Sequence, residues 1–129
     1  MAITRVQFKS GTGAGVTSLA ITPDSAPSSG NLQVMTIAYS SATASRVSSI
    51  SQTNATWVRA IQKNNSLGGA ISADIWYAEN TTSPGATITI NLASSLDIAA
   101  IYLEYSGVAT SSSLDKTASN EDFSSGFEG

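Results

Sequence analysis

With neither histidine nor cysteine in the sequence, the candidates for paired acid–base catalysis in this chain are its carboxylates. That composition excludes an imidazole base, a Ser-His-Asp triad, a thiolate nucleophile and a Cys/His zinc site. Four carboxylates lie on or beside predicted strands, namely Asp74, Glu79, Asp97 and Glu104. A glycosidase needs two carboxyl groups about 5–9.5 Å apart, and nothing in the spacing of these four sets such a separation. We expect them to be solvated, and we predict no enzyme.

Oxygen-rich turns are a second kind of candidate site. Asp24, Asn31 and Asp97 could offer oxygen ligands to calcium from predicted loops. The chain has no Asp-x-Asp-x-Asp-Gly loop, and turn residues of these types ordinarily bond to their own backbone. We therefore predict no metal site and no cofactor.

Two sequence features could suggest phosphate or nucleic-acid binding. The Gly-Thr-Gly-Ala-Gly stretch at residues 11–15 precedes a strand-like segment and lacks the Lys-Ser/Thr ending of a P-loop, so we interpret it as an ordinary loop. The six basic residues, in a chain of net charge −3, form no patch interleaved with aromatic residues. We predict no nucleic-acid partner.

The candidate residue for sugar binding is Trp76. This residue alternates with Ser72 and Asp74, on the face opposite to Ile75 and Tyr77. An exposed indole beside a carboxylate and a hydroxyl is a surface on which a pyranose ring could stack. A tryptophan in a β-fold is also a common core residue, and the sequence leaves both interpretations of Trp76 open.

The elements that position these residues are predicted to be β-strands. Apolar residues recur with period two between clusters of Gly, Pro, Asn and Ser. This pattern predicts about eight strands in an antiparallel, jelly-roll-like β-sandwich. The strands are predicted at residues 3–9, 17–22, 32–40, 47–52, 56–63, 71–79, 86–93 and 98–106.

The alternation also predicts which side chains face the core. We predict inward positions for Val6, Phe8, Leu19, Ile21, Trp57, Ile71, Ile75, Tyr77, Ile88, Ile90 and Leu92, and solvent-facing positions for Thr87, Thr89 and Asn91.

Two predicted strands, residues 32–40 and 98–106, are apolar on both faces. One small sandwich cannot bury both faces of its strands, so we predict that a partner covers the second face. The residues assigned to this assembly interface are Met35, Ile37, Tyr39, Ile98 and Tyr102.

The chain divides into a β-domain at residues 1–108 and a polar, weakly acidic tail at residues 109–129. The tail is either disordered or docked on its own domain or on a neighbouring subunit, and Phe123 and Phe127 are assigned to the same assembly interface.

Residues 1–63 hold five basic residues against one acidic, a net charge of +4, whereas residues 64–129 hold one against eight, a net charge of −7. This asymmetry favours a head-to-tail homo-oligomer.

Four stretches carry a resemblance to known proteins. They are Gly-Asn-Leu-Gln-Val-Met-Thr-Ile-Ala-Tyr at residues 30–39, Thr-Trp-Val-Arg-Ala at 56–60, Asp-Ile-Trp-Tyr-Ala at 74–78 and Leu-Glu-Tyr-Ser-Gly-Val at 103–108. In them the chain resembles Ser/Thr-rich β-sandwich modules, jelly-roll or lectin-like, of tailed-phage structural proteins and bacterial surface proteins. The resemblance covers roughly residues 3–118 and consists mostly of core and turn residues, so it implies a fold rather than any functional residue.

The expected function is therefore that of a structural or capsid-decoration protein of a phage-like particle, with itself and other particle proteins as partners. The alternative is a carbohydrate-binding adhesion module that recognises surface glycans. The N-terminal Met-Ala-Ile-Thr-Arg lacks the apolar region of a signal peptide, which favours synthesis in a host cytoplasm and a place on a virion. No run of about 18 apolar residues occurs, so no membrane partner is expected.

Overall fold

A computed structural model describes residues 2–43, 45–65 and 70–119 of the chain. The described residues form six strands and no helix, which confirms the prediction of an all-β, antiparallel fold. No element of the described ranges is therefore a helix that could cross a membrane. The strands are β1 (Thr4–Ile21), β2 (Leu32–Tyr39), β3 (Val47–Ser51), β4 (Val58–Asn64), β5 (Ser72–Ala78) and β6 (Ile88–Ser106).

The strands belong to one sheet of order β1-β6-β2-β5-β4, with β3 paired separately to β6. The long strands β1 and β6 run the length of this sheet, with Thr4 opposite Ser106 and Ile21 opposite Ile88. Strand β2 pairs with the second half of β6, and β3 pairs with the first half. We call β4, β5, β2 and the adjoining halves of β6 and β1 the five-stranded part. The remaining halves of β6 and β1, with β3, are the three-stranded part.

The sequence predicts eight strands where the structure has six, because two pairs of predicted strands are continuous. Residues 3–9 and 17–22 join in β1, and residues 86–93 and 98–106 join in β6. The glycine-rich stretch between the first pair is a paired segment of strand, with Gly11 opposite Ala100 and Gly13 opposite Ile98. Register shifts follow Gly13, and Gly15 has a φ of +59°. Glycine adopts this left-handed conformation without steric cost, so the segment forms a bulge instead of ending the strand.

One hydrophobic core receives side chains from both parts of the sheet. Its buried members are Ile21, Met35, Ile37, Tyr39, Val47, Ile50, Trp57, Trp76, Ala78, Ile88, Ile90, Leu92, Ile98, Ala100 and Tyr102. Predicted burial is confirmed for Ile21, Trp57, Ile88, Ile90 and Leu92, and Leu19 packs against the core while partly exposed.

The predicted faces are inverted in the first half of β1 and in β5. Val6, Phe8, Ile71 and Ile75 are all exposed, and Tyr77 is half-buried. In β5 the buried residues are Ser72, Asp74 and Trp76 instead, and in β1 Gln7 is half-buried. Of the predicted solvent-facing residues, Thr87 is exposed, whereas Thr89 and Asn91 are half-buried.

Polar side chains of β2 and β6 form hydrogen bonds inside the core. The Gln33 side-chain oxygen accepts hydrogen bonds from the Tyr102 hydroxyl and from the amide of Gln52, each at 3.0 Å. Gln52 in turn accepts a 2.9 Å bond from the Trp57 indole. Burial, and then the charge of Glu104, raise the pKa of Tyr102 above its usual value, so the hydroxyl stays a donor.

Glu104 is fully buried and is held by three donors. Its carboxylate accepts hydrogen bonds from the Gln7 amide at 2.6 Å, the Asn31 amide at 2.7 Å and the Ser28 backbone N–H at 2.8 Å. A buried carboxylate bonded in this way is a structural group, and it ties β6 to β1 and to the loop before β2.

Candidate functional site

The exposed side of the five-stranded part is largely apolar, and we call it the outer face. Residues directly opposite each other in an antiparallel pair lie on the same side of the sheet. The registers therefore define three rows, each crossing β1, β6, β2, β5 and β4 in that order. The rows are Phe8-Leu103-Val34-Tyr77-Val58, Ser10-Ile101-Thr36-Ile75-Ile61 and Thr12-Ala99-Ala38-Ala73-Lys63.

All the residues of these rows are exposed or half-buried. Lys63 is the single charged residue among them, and it lies at the end of its row. A contiguous apolar area that is this wide is unusual on the surface of an isolated domain and is typical of an association surface.

A groove of about 450 Å³ crosses the middle of the outer face. Ala38, Ala73 and Ala99 line it, and the longer side chains of Ile75 and Ile101 stand beside them. The row of three short side chains leaves space that a partner's side chain could fill.

The described part of the tail reaches the outer face beside this groove. The Ser113 backbone N–H donates a 3.0 Å hydrogen bond to the carboxylate of Glu79, and the Ser113 hydroxyl donates to the same oxygen. Leu114 lies next to Val34 and Tyr77, where a smaller cavity of about 120 Å³ remains. The tail is therefore fastened to the domain at the end of β5.

These bonds make the attachment of the tail sensitive to pH. Hydrogen bonds from the side chain and backbone of Ser113 lower the pKa of Glu79. Their contribution is present above the ordinary pKa of a glutamate and is lost as the pH falls through the lowered, folded-state pKa. We expect Ser113→Ala to raise the pKa of Glu79 toward its usual value, as measured by NMR titration of the side-chain carboxyl. Ser111→Ala is the control, and equal pKa values in the wild type and Ser113→Ala would contradict the attachment.

The residues predicted to bind a sugar face the core. Ser72, Asp74 and Trp76 are 2%, 1% and 7% exposed, so of the two interpretations that the sequence leaves open for Trp76, the structure has the core residue. The indole N–H of Trp76 donates to Asp74 at 3.1 Å, and the Ser72 hydroxyl donates to the carbonyl of Ser41. The face of Trp76 is covered by the Arg59 guanidinium, 4.8 Å from the ring centre.

Asp74 is the centre of a buried polar cluster. One carboxylate oxygen accepts the Tyr39 hydroxyl at 3.1 Å, and the other accepts Arg59 Nε at 2.9 Å. Arg59 Nη2 also donates to the carbonyl of Val47 at 2.5 Å, which links β4 to β3. Burial, and then the charge of Asp74, raise the pKa of Tyr39. The cluster holds strands together and leaves no open carboxylate for a ligand.

The other carboxylates considered for catalysis also have local donors. Asp97 accepts a 2.8 Å bond from the backbone N–H of Gly15, whereas Glu79 binds Ser113. Asp74 and Glu104 are buried and bonded as described above, so the four do not form an open acidic pair.

The oxygen ligands considered for calcium serve separate contacts. Asp24 forms a 2.8 Å ion pair with Lys9, Asn31 donates to Glu104, and Asp97 accepts from Gly15. Within residues 2–43, 45–65 and 70–119, no group of three or more acidic side chains could hold a metal ion.

The five strand residues assigned to the assembly interface also lie in the core. They are Met35, Ile37, Tyr39, Ile98 and Tyr102, each at most 4% exposed. Strands β2 and β6 are apolar on both sides as predicted, but the two sides are exchanged. Tyr39 and Tyr102 occupy the inner side because their hydroxyls bond to Asp74 and Gln33 there. Phe123 and Phe127 lie outside the described residues.

The outer face is the surface that the sequence analysis missed. One signal in the sequence could have indicated it. Gln33 and Asp74 lie on the same side of their strands as the largest aromatic residues, and each offers an acceptor that a buried hydroxyl or indole needs. Assigning this mixed side to the core leaves the aliphatic side outside.

Comparisons of the chain with protein-family models, with curated proteins and with solved structures find no match.

Proposed function

We propose that this chain is a non-enzymatic structural protein that functions by association through its outer face. The observation that carries the proposal is the set of three rows across five strands, with a single charge at one end. Burying such a surface against a partner is favourable at about 25 cal/mol per Å² of apolar area, and an ordinary interface takes about 800 Å² on each side.

A second copy of the chain is the partner that this surface fits best. Two flat sheets can pack face to face about 10 Å apart, and the groove beside Ile75 and Ile101 offers room for interdigitation. The assembly that the sequence resemblance implies is a phage-like particle, in which such a subunit would decorate or build the shell. A glycan-binding function would need a surface other than Trp76, because that ring is buried.

The architecture that we propose for the subunit is a β-sandwich of jelly-roll type. The support for it is that the five-stranded and three-stranded parts share one core, with β1 and β6 passing from one part to the other. The hydrogen bond from Arg59 to the carbonyl of Val47 also connects the two parts, because it joins β4 of the five-stranded part to β3 of the three-stranded part.

Two matched substitutions test the association. Ala99 is exposed in the groove of the outer face, and Ala20 is exposed on the three-stranded part. Ala99→Lys places an ammonium group in the interface, where burying it without a partner costs enough to weaken self-association about tenfold or more. Ala20→Lys adds the same charge away from it and should leave association unchanged. Sedimentation equilibrium over a range of protein concentrations measures both. Equal weakening by the two variants would contradict the assignment of the outer face.

A further inference from the structure

The groove has a second candidate occupant, and it belongs to the same chain. The tail is fastened beside the groove by Ser113 and Leu114, and Leu114 already packs next to Val34 and Tyr77 of the outer face. Ile75 lines both the cavity next to Leu114 and the groove. The tail therefore passes close to one end of the groove.

The sequence that follows can reach and fill it. Between Leu114 and the last residue, Phe123 and Phe127 are the two large apolar side chains. An extended chain advances about 3.3 Å per residue, so the nine residues from Leu114 to Phe123 can span far more than the few strand spacings of about 4.8 Å across the groove. Residues four apart in an extended segment also point to the same side, which lets both rings face the sheet.

The charges of the tail and of the outer face are complementary. Glu121, Asp122 and Glu128 flank the two phenylalanines. The three rows of the outer face carry no carboxylate, and Lys63 ends the alanine row. Arg5, whose guanidinium lies 5.0 Å above the Phe8 ring, adds a positive charge at the β1 side. The outer face offers the acidic tail apolar contacts and positive charge. The rest of residues 64–129 is acidic and therefore suits the tail less well.

We infer that residues 120–129 of the same chain bind in the groove of the outer face, with Phe123 and Phe127 as anchors, and compete there with a second copy. A segment tethered this closely has an effective concentration on the order of millimolar, so the tail's own groove is occupied before that of a neighbour. The competition rests on the proposed function, whereas the binding of the tail does not. The tail would thus set the concentration at which subunits associate.

The absence of cysteine allows a clean test on the full chain. Ser125→Cys creates a single site for a nitroxide label between the two phenylalanines. We expect the label to broaden the NMR amide signals of Ala38, Ala73 and Ala99 in its own ¹⁵N-labelled chain and to leave Ala20, on the three-stranded part, unaffected. Adding Phe123→Ser and Phe127→Ser should abolish the broadening.

A mixture separates the tail's own groove from that of a neighbour. Chains that carry the nitroxide but no ¹⁵N are mixed with ¹⁵N-labelled chains that carry no nitroxide, and we expect no broadening. Broadening in the mixture as well as in the doubly labelled sample would show that a neighbour's tail occupies the groove, and no broadening in either sample would show that no tail does. Either result overturns the inference.

Self-association is measured separately on the unlabelled chain with Phe123→Ser and Phe127→Ser. Releasing the groove should strengthen association about tenfold or more, which corresponds to the burial of one or two aromatic rings. If the association constant of this variant equals that of the wild type, the competition is overturned. If both proteins remain monomeric at every concentration, the proposed function and the competition fail, while the nitroxide experiment still reports where the tail binds.

Discussion

Arg59→Met is expected to lower the free energy of unfolding by about 3–5 kcal/mol. The substitution keeps an unbranched side chain of similar length but removes the positive charge that lies 2.9 Å from Asp74. The side chain of Asp74 is fully buried, so water cannot replace the guanidinium. The variant therefore leaves an uncompensated carboxylate in the core, and it also leaves the carbonyl of Val47 without its donor from β4.

A double substitution separates the charge from the packing. Arg59→Met combined with Asp74→Asn removes both charges while keeping an oxygen that can accept the Tyr39 hydroxyl. We expect the double variant to be more stable than Arg59→Met alone, since the largest cost of the single change is the buried, unpaired charge. Urea denaturation of the four proteins of this cycle gives the coupling free energy. Additive effects of the two substitutions would show that Arg59 and Asp74 do not interact.

Ile90→Ala is expected to destabilise the protein by about 2–5 kcal/mol, through lost burial and the cavity that remains. Ile90 is fully buried in the first half of β6, between Leu19 of β1 and Ile50 of β3. Ile75→Ala removes the same atoms from the outer face, where Ile75 is 40% exposed. We expect it to cost less than about 1 kcal/mol in the monomer.

Because the two substitutions remove the same atoms, their comparison tests which side of its strand each isoleucine occupies. Chemical denaturation at a protein concentration where the chain is monomeric gives both free energies. A larger loss for Ile75→Ala than for Ile90→Ala would mean that β5 presents its isoleucine to the core, as the alternation of the sequence alone predicts.

The sequence predicted the strands better than it predicted their sides. Period-two alternation located part of every strand but divided β1 and β6 into two strands each. The first half of β6 has a plain pattern in which Ile88, Ile90 and Leu92 face inward. In β5 both sides of the strand carry apolar residues, so the alternation alone does not determine which side faces the core. Hydrophobicity favours Ile75 and Tyr77, but the native register buries Asp74 and Trp76, because Arg59 and Tyr39 provide partners for the carboxylate. Such partners come from strands that are distant in the sequence, and no local pattern contains them.

The candidate site was missed for the same reason. The composition of β2 and β6 predicts that a partner covers one of their two sides. In the structure the two sides are exchanged, so the predicted contact residues lie in the core. No local sequence pattern groups the alanines of the groove, since Ala38, Ala73 and Ala99 lie on three separate strands. The antiparallel registers alone bring them into one row.

The pairing of β1 with β6 has a consequence for how the protein is made. The partner of Thr4 is Ser106, and each residue of β1 that pairs at all pairs with β6. During synthesis the first strand must therefore wait for the last, and β2 also lacks one of its two neighbours until then. Closing so long a loop is slow, because its entropy is lost before the contacts form. Until β6 has been made, β1 and β3 lack the strand with which they pair, so the synthesis of β6, rather than any local nucleus, sets the moment at which the sheet closes.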